Sequence, residues 1–351
     1  MIRLLVAVLT LIFLNGCSLG FYAQATGGQL SVLADQIPIE DMLNNPDEHP
    51  ELVERLRVAV QIRNFAVNEL GLPDSGSFKS YVHLDRPYAV WNVVATPEFS
   101  LEAKIWCYLV VGCLTYRGYF DEHVAERYAQ KMRRKGYDVA INGVLAYSTL
   151  GWFDDPLFST IISLPDSAVA ELIFHELAHE LVFVQDDADF NEAFATTVGE
   201  VGVYYWLKSC CSPDDTIEYQ ASLGRQSDFI ALLARTHHML STVYASASDA
   251  NTMRHDKQQA FTELKAGYWE LKKSWDNFDG FDWWFERDLN NAHIAAVDTY
   301  RRLGPVFTAL LAQNDFDLRK FYDAVRQLAQ LEKEERDREI RKLLAISAEP
   351  Q

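Results

Sequence analysis

The chain has 351 residues, 49% of them hydrophobic, and a formal charge of −18. That is apolar material enough for one large core or two small ones. The acidity excludes nucleic acid and anionic membrane surface as main partners, because both repel it. Beyond the N-terminus no stretch approaches the roughly 18 apolar residues that cross a bilayer.

The opening stretch MIRLLVAVLTLIFLNGCSLG has one positive charge, Arg3, and an apolar run from Leu4 to Leu14. These are the proportions of a signal peptide over residues 1–16. It ends in Leu14-Asn15-Gly16-Cys17, which resembles the bacterial lipobox, with Cys17 as the lipidated residue and mature N-terminus. Ser18, in place of Asp, implies sorting to the periplasmic face of the outer membrane. The partner there is the lipid bilayer, through acylated Cys17, and residues 17–35 read as a tether.

Residues 36–351 read as one α+β domain, β-rich over about 78–160 and helical over about 166–346. A small mixed or antiparallel sheet would pack on a mainly helical part with a helical C-terminal half. Residues 36–70 predict helix broken at Pro46 and Pro50. YVHLDRPYAVWNVVATPEF predicts a β-hairpin turning at Asp85-Arg86-Pro87. IWCYLVVGCLTYRGYF is β-rich and carries Cys107 and Cys113, with Gly112 available for a turn. In an oxidising compartment a local bridge between them is the expected pairing. The adjacent Cys210 and Cys211 either bridge each other or stay reduced. Residues 121–135 predict an amphipathic helix ending at Gly136, followed by a strand in DVAINGVLAYSTLG. The charged run LEKEERDREIRK predicts a solvated helix face.

The chemistry concentrates in FHELAHELVFVQDDADFNEAFA, Phe174 to Ala195. His175 and His179 are spaced i, i+4 on a helix-periodic segment, so both imidazoles face one point. Imidazole nitrogen is a favoured zinc ligand. Glu176 stands beside that point, where it can take a proton from an activated water and pass it to a leaving amine. A third ligand is needed. The metzincin continuation asks for Gly at 182 and His at 185, and the chain has Val182 and Gln185. The alternative is a glutamate from the next helix, which selects Glu192 in Asn191-Glu192-Ala193-Phe194-Ala195. Glu200 is the alternative ligand, or a partner for a ligating histidine. Asp186, Asp187 and Asp189 read as turn and capping residues. His237 and His238 could form a second metal site, but they are adjacent on a helix, point to different faces, and read as structural or surface residues.

The lipobox, WNVVATPEFSL, YRGYF, GVLAYSTLGWFDDP, FHELAH, FNEAFA and LNNAHIAAVDTY together resemble a bacterial family of predicted zinc aminopeptidases, over nearly the whole mature chain. HExxH with NExxA is the gluzincin signature. The resemblance implies a tethered zinc metallopeptidase with one zinc ion and a peptide or protein substrate, acting as an aminopeptidase. The alternatives are an envelope endopeptidase, a cell-wall amide hydrolase, or a non-catalytic zinc-binding scaffold. Substrate backbone is expected along an edge strand over Gly143 to Phe153. A transition-state oxyanion needs a donor opposite the metal, for which Tyr116, Arg117, Tyr147, His293 and Tyr300 are candidates.

Overall fold

The computed structural model describes residues 16–108, 112–147, 149, 153–298 and 303–347. Residues 1–15, which hold the apolar signal run, and Tyr300 lie outside them. The architecture is α+β: among the described residues three small sheets precede a helical C-terminal half. None of the helices among the described residues is long and apolar enough to cross a membrane.

Residues 17–34 of the stretch read as a tether lie in helix α1, Gly16–Ala34, which packs on the domain. The Phe21 ring stacks on Tyr108 at 5.1 Å and meets Tyr119 edge-on at 5.7 Å. Gln24 donates to the Gly118 carbonyl and accepts from the Phe120 amide, and Val32 is buried. Polar glutamines and glycines hid the docking face, because its contacts are all with residues some hundred positions away.

Strand β1, Ile37–Pro38, leads into α2, Ile39–Leu43, and then α3, Pro50–Asn68, which starts on its proline. Proline has no N–H to lose in a first helical turn. The breaks at Pro46 and Pro50 are where the sequence puts them. Strands β2, Ser80–Val82, and β3, Val90–Pro97, are not the arms of a hairpin. β2 pairs antiparallel with β1 and parallel with β8, Leu157–Phe158. β3 lies in a second sheet, between β6, Arg117–Tyr119, and β7, Tyr137–Val144, antiparallel to both. The physical reason is burial: β3 is buried at Val90, Trp91 and Val93 to Thr96. A strand covered on both faces sits at a sheet's centre, and both of its edges are taken.

Between these, β4, Trp106–Tyr108, and β5, Gly112–Leu114, form a two-stranded ribbon in which Cys107 lies opposite Cys113. The two are bridged, as are Cys210 and Cys211. Closing so short a loop stabilises by about 2 kcal/mol in the chain-entropy account. Reduction should therefore lower stability by about that much, read as a shift in denaturant midpoint. A non-reduced digest showing two free thiols at Cys107 and Cys113 would remove the bridge. Helix α4, Glu122–Arg133, is capped by the Asp121 side chain, and Gly136 takes φ +82° to turn the chain into β7. β7 is an edge strand. It ends at Val144, so the expected edge over Gly143 to Phe153 is strand only at its first two residues. Residues 148 and 150–152 of that stretch lie outside the described residues.

The helical half follows α5, Ser159–Ile162. Helices α6, Asp166–Leu181, and α7, Ala188–Cys210, pack against each other and on α3. α8, Pro213–Ala245, and α9, Ala250–Ser274, form a long pair with a separate core. α10, Asp282–Phe285, and α11, Asn291–Asp298, close that core with Trp284, Phe285 and Ile294. α12, Gly304–Gln313, α13, Leu318–Ala329, and α14, Lys333–Ser347, return to the main core. α14 carries the charged run on a solvated face, as expected, and turns Arg336 and Ile340 inward. Arg336 is 4% exposed and its guanidinium lies on Asp187, at 2.8 and 3.1 Å.

Candidate metal centre

Helix α6 places the site by its two faces. Val169, Ala170, Ile173, Phe174, Leu177 and Ala178 are buried at helical spacing. Burial of that stripe leaves His175 and His179 to meet Glu192 of α7. Arg55 of α3 fixes the start of α6, donating to the Asp166 carboxylate and to the carbonyls of Ile162 and Leu164.

The turn into α7 is built from side chains whose role the sequence left open. Asn191 donates to the Val184 carbonyl at 2.7 Å and accepts from the Val184 amide at 2.8 Å. It is 3% exposed. Asp186 sits at φ +60°, and Asp187 caps α7 by accepting from the Phe190 amide. Asp187 and Asp186 are thus turn and cap, as their spacing suggested. What spacing could not show is that the buried Arg336 of α14 covers Asp187 from the far end of the chain.

This turn carries Glu192 back to the histidines. The Nε2 atoms of His175 and His179 are 3.1 Å apart. Glu192 Oε2 is 3.3 Å from the first, and its Oε1 is 3.7 Å from the second. Donors about 2.0–2.2 Å from a tetrahedral zinc lie about 3.3–3.5 Å from one another. One donor atom from each of the three residues can be chosen so that all lie within 4.8 Å of one another, close enough to converge on one ion. His175, His179 and Glu192 form the one group of this kind among the described residues. Glu200 is outside it, about 12 Å further along α7 at the helical rise.

The charges agree with the geometry. Burial, then the neighbouring His175, push His179 down to about 4, leaving it the neutral imidazole that a metal takes. Burial alone would lower His175, but the bond from Glu192 and the charges of Glu176, Glu192 and Glu171 outweigh it and raise it. Burial likewise opposes ionisation of Glu192, and its two histidine partners reverse that and lower it. Three carboxylates thus draw positive charge to one imidazole nitrogen, and a divalent cation answers that demand as well as a proton does.

The oxyanion candidates separate. Arg117 opens β6 and Tyr116 lies in the bend just before it, and their side chains enter different surroundings. Arg117 turns to aromatic rings, its guanidinium 4.1 Å from Phe21 and 4.7 Å from Tyr128. Tyr116 packs on the Val94, Ala140 and Ala292 cluster, with its hydroxyl in the field of Glu192 and Glu176. Burial and those two charges raise its pKa, so it stays an O–H donor. Tyr147 is engaged elsewhere: its hydroxyl donates to Gln29 at 2.8 Å and its ring stacks on Phe158. Neither His237 nor His238 belongs to the metal group.

His293 is held by Asn290, whose amide lies 3.2 Å from Nδ1. Burial, then the Arg287 charge, push it down to about 4. The unfolded chain takes up this proton near pH 6.5. As pH falls from there to about 4 the unfolded state binds more protons, and about 3 kcal/mol of stability is lost. His293→Asn should flatten the acid limb of the stability profile between pH 6.5 and 4. An unchanged profile would mean that the folded ring accepts its proton freely.

Two imidazoles from one helix and a carboxylate from the next, beside a further glutamate, define a site of the metal-binding class. The chain belongs to the family described as "Putative aminopeptidase", which matches residues 20–340, and the family makes it a peptidase. Neither the curated proteins nor the solved structures returned a match.

Proposed function

We propose that this protein is a zinc metallopeptidase of the cell envelope, gluzincin-like in its ligand set and acting as an aminopeptidase. The observation that carries the reading is the convergence of His175, His179 and Glu192, whose donor atoms lie within 4.8 Å of one another. Zinc bound by these three would polarise a peptide carbonyl and make a water acidic enough to attack it near neutral pH. The chain's own residues supply the rest. Glu176, next to His175, accepts the water's proton and returns it to the leaving amine. The Tyr116 hydroxyl donates to the oxygen on which negative charge develops. Edge strand β7 offers backbone groups to an extended peptide.

The test is zinc analysis of purified protein, then a peptide-library digest with its cleavage ends mapped. One zinc per chain with cuts after the first residue supports the reading. Internal cuts would make it an endopeptidase, and cuts only in cell-wall amides would make it an amide hydrolase. Zinc with no cleavage of any substrate would leave a scaffold.

The location is part of the proposal. Lipidated at Cys17, the protein would be held on the periplasmic face of the outer membrane. Two or three acyl chains suffice for stable anchoring, at about 0.8 kcal/mol per buried methylene. Because the chain is docked on the domain from Phe21 onward, only three residues would separate it from an acylated Cys17, and the anchor would have little slack. Cys17→Ser should move the protein to the soluble fraction with its activity retained. Retention in the membrane fraction would place attachment on the protein surface instead.

A further inference from the structure

Glycine in a helix interior weakens it relative to alanine, and α7 has one at Gly199. Glu192, Thr196, Gly199 and Val203 follow one another at helical spacing along one face of α7. It is the face that brings Glu192 to the histidines. A methyl group at Gly199 would stand 3.1 Å from the Glu171 carbonyl oxygen, 3.3 Å from Glu171 Cγ and 3.6 Å from His175 Cβ. The tightest of these contacts is with the backbone of α6, which has no rotamer by which to move aside.

Nor is that turn of α6 free to retreat. The buried Tyr219 of α8 donates its hydroxyl to the Glu171 carboxylate at 2.9 Å. Behind it, Ala170 and Phe174 are fully buried in the main core. Relief would come by separating α6 from α7. One of these helices holds both histidines and the other holds Glu192, and metal sites tolerate displacements of only about 0.2 Å.

We propose that Gly199 is a positioning residue for the metal centre: its missing side chain sets the separation of α6 and α7 at which Glu192 meets both imidazoles. The proposal rests on the zinc reading above.

Three proteins test it: the wild type, Gly199→Ala, and Gly224→Ala, a control in α8 where an added Cβ meets nothing within 4 Å. Zinc affinity is measured by chelator competition and thermal unfolding in the metal-free state. Gly199→Ala should lose roughly 10- to 100-fold in zinc affinity, the scale seen when the support of a metal ligand is disturbed. Its metal-free midpoint should stay within about 3 °C of wild type, because helix propensity offsets the contact. Gly224→Ala should bind zinc as wild type does. The double variant supplies a more stable background in case Gly199→Ala alone is poorly folded. Equal affinity in Gly199→Ala and wild type overturns the proposal. So does a metal-free double variant that fails to fold, since Gly199 would then serve the fold as a whole. A wild type that binds no zinc instead overturns the metal reading itself.

Discussion

Glu176→Gln is expected to retain one zinc per chain and to lose turnover by about 100- to 10,000-fold, the usual contribution of a general base. The amide has nearly the shape of the carboxylate and cannot take up the proton. His179→Ala should differ in kind, losing both metal and activity. His179 supplies one of only three protein donors, and its side chain is 4% exposed, so nothing nearby can swing in to replace it. The two variants are compared by zinc content after dialysis and by kcat on one peptide. Equal metal loss in both would make Glu176 a ligand and leave the base unassigned. Full activity in Glu176→Gln would end the mechanism proposed here.

Arg336→Ala is expected to destabilise the fold by about 3–5 kcal/mol, because it leaves the Asp187 carboxylate buried without its partner. The side chains are 5% and 8% exposed, and the guanidinium also donates to the Leu331 carbonyl at 2.7 Å. Lys333, 3.5 Å from Asp187 and 62% exposed, is too solvated to compensate. Because Asp187 caps the helix that carries Glu192, zinc affinity should fall together with stability. Replacing both partners, Asp187→Asn with Arg336→Leu, should recover much of the loss, since no unpaired charge then remains. Denaturant unfolding measures the effect. A change below about 1 kcal/mol would show an exposed, weakly coupled pair.

Much of the site is legible in the sequence because its parts are local. His175, Glu176 and His179 lie within one helical turn, so backbone geometry alone puts the two imidazoles side by side. Glu192 is only slightly further, reached by a short turn between two periodic segments. The breaks at Pro46 and Pro50, the caps before α7 and the Cys107–Cys113 ribbon are legible for the same reason. In each, a neighbouring residue decides the outcome.

The rest was settled by contacts between distant residues. That α1 is a docked helix follows from Phe21 and Gln24 meeting β6 and its neighbours. β2 and β3 enter different sheets because β3 is buried on both faces and its edges belong to β6 and β7. The choice between Tyr116 and Arg117 turns on which side chain lies near Glu192 and Glu176 and which packs among aromatic rings. Arg336 lies in a run of alternating charges, and only the closeness of α14 to the α7 cap singles it out. The candidate ligands can be read along the chain, since ligand type and helical spacing are properties of a few adjacent residues. Their surroundings cannot, because burial and long-range pairing are settled only when the whole chain competes for the same core.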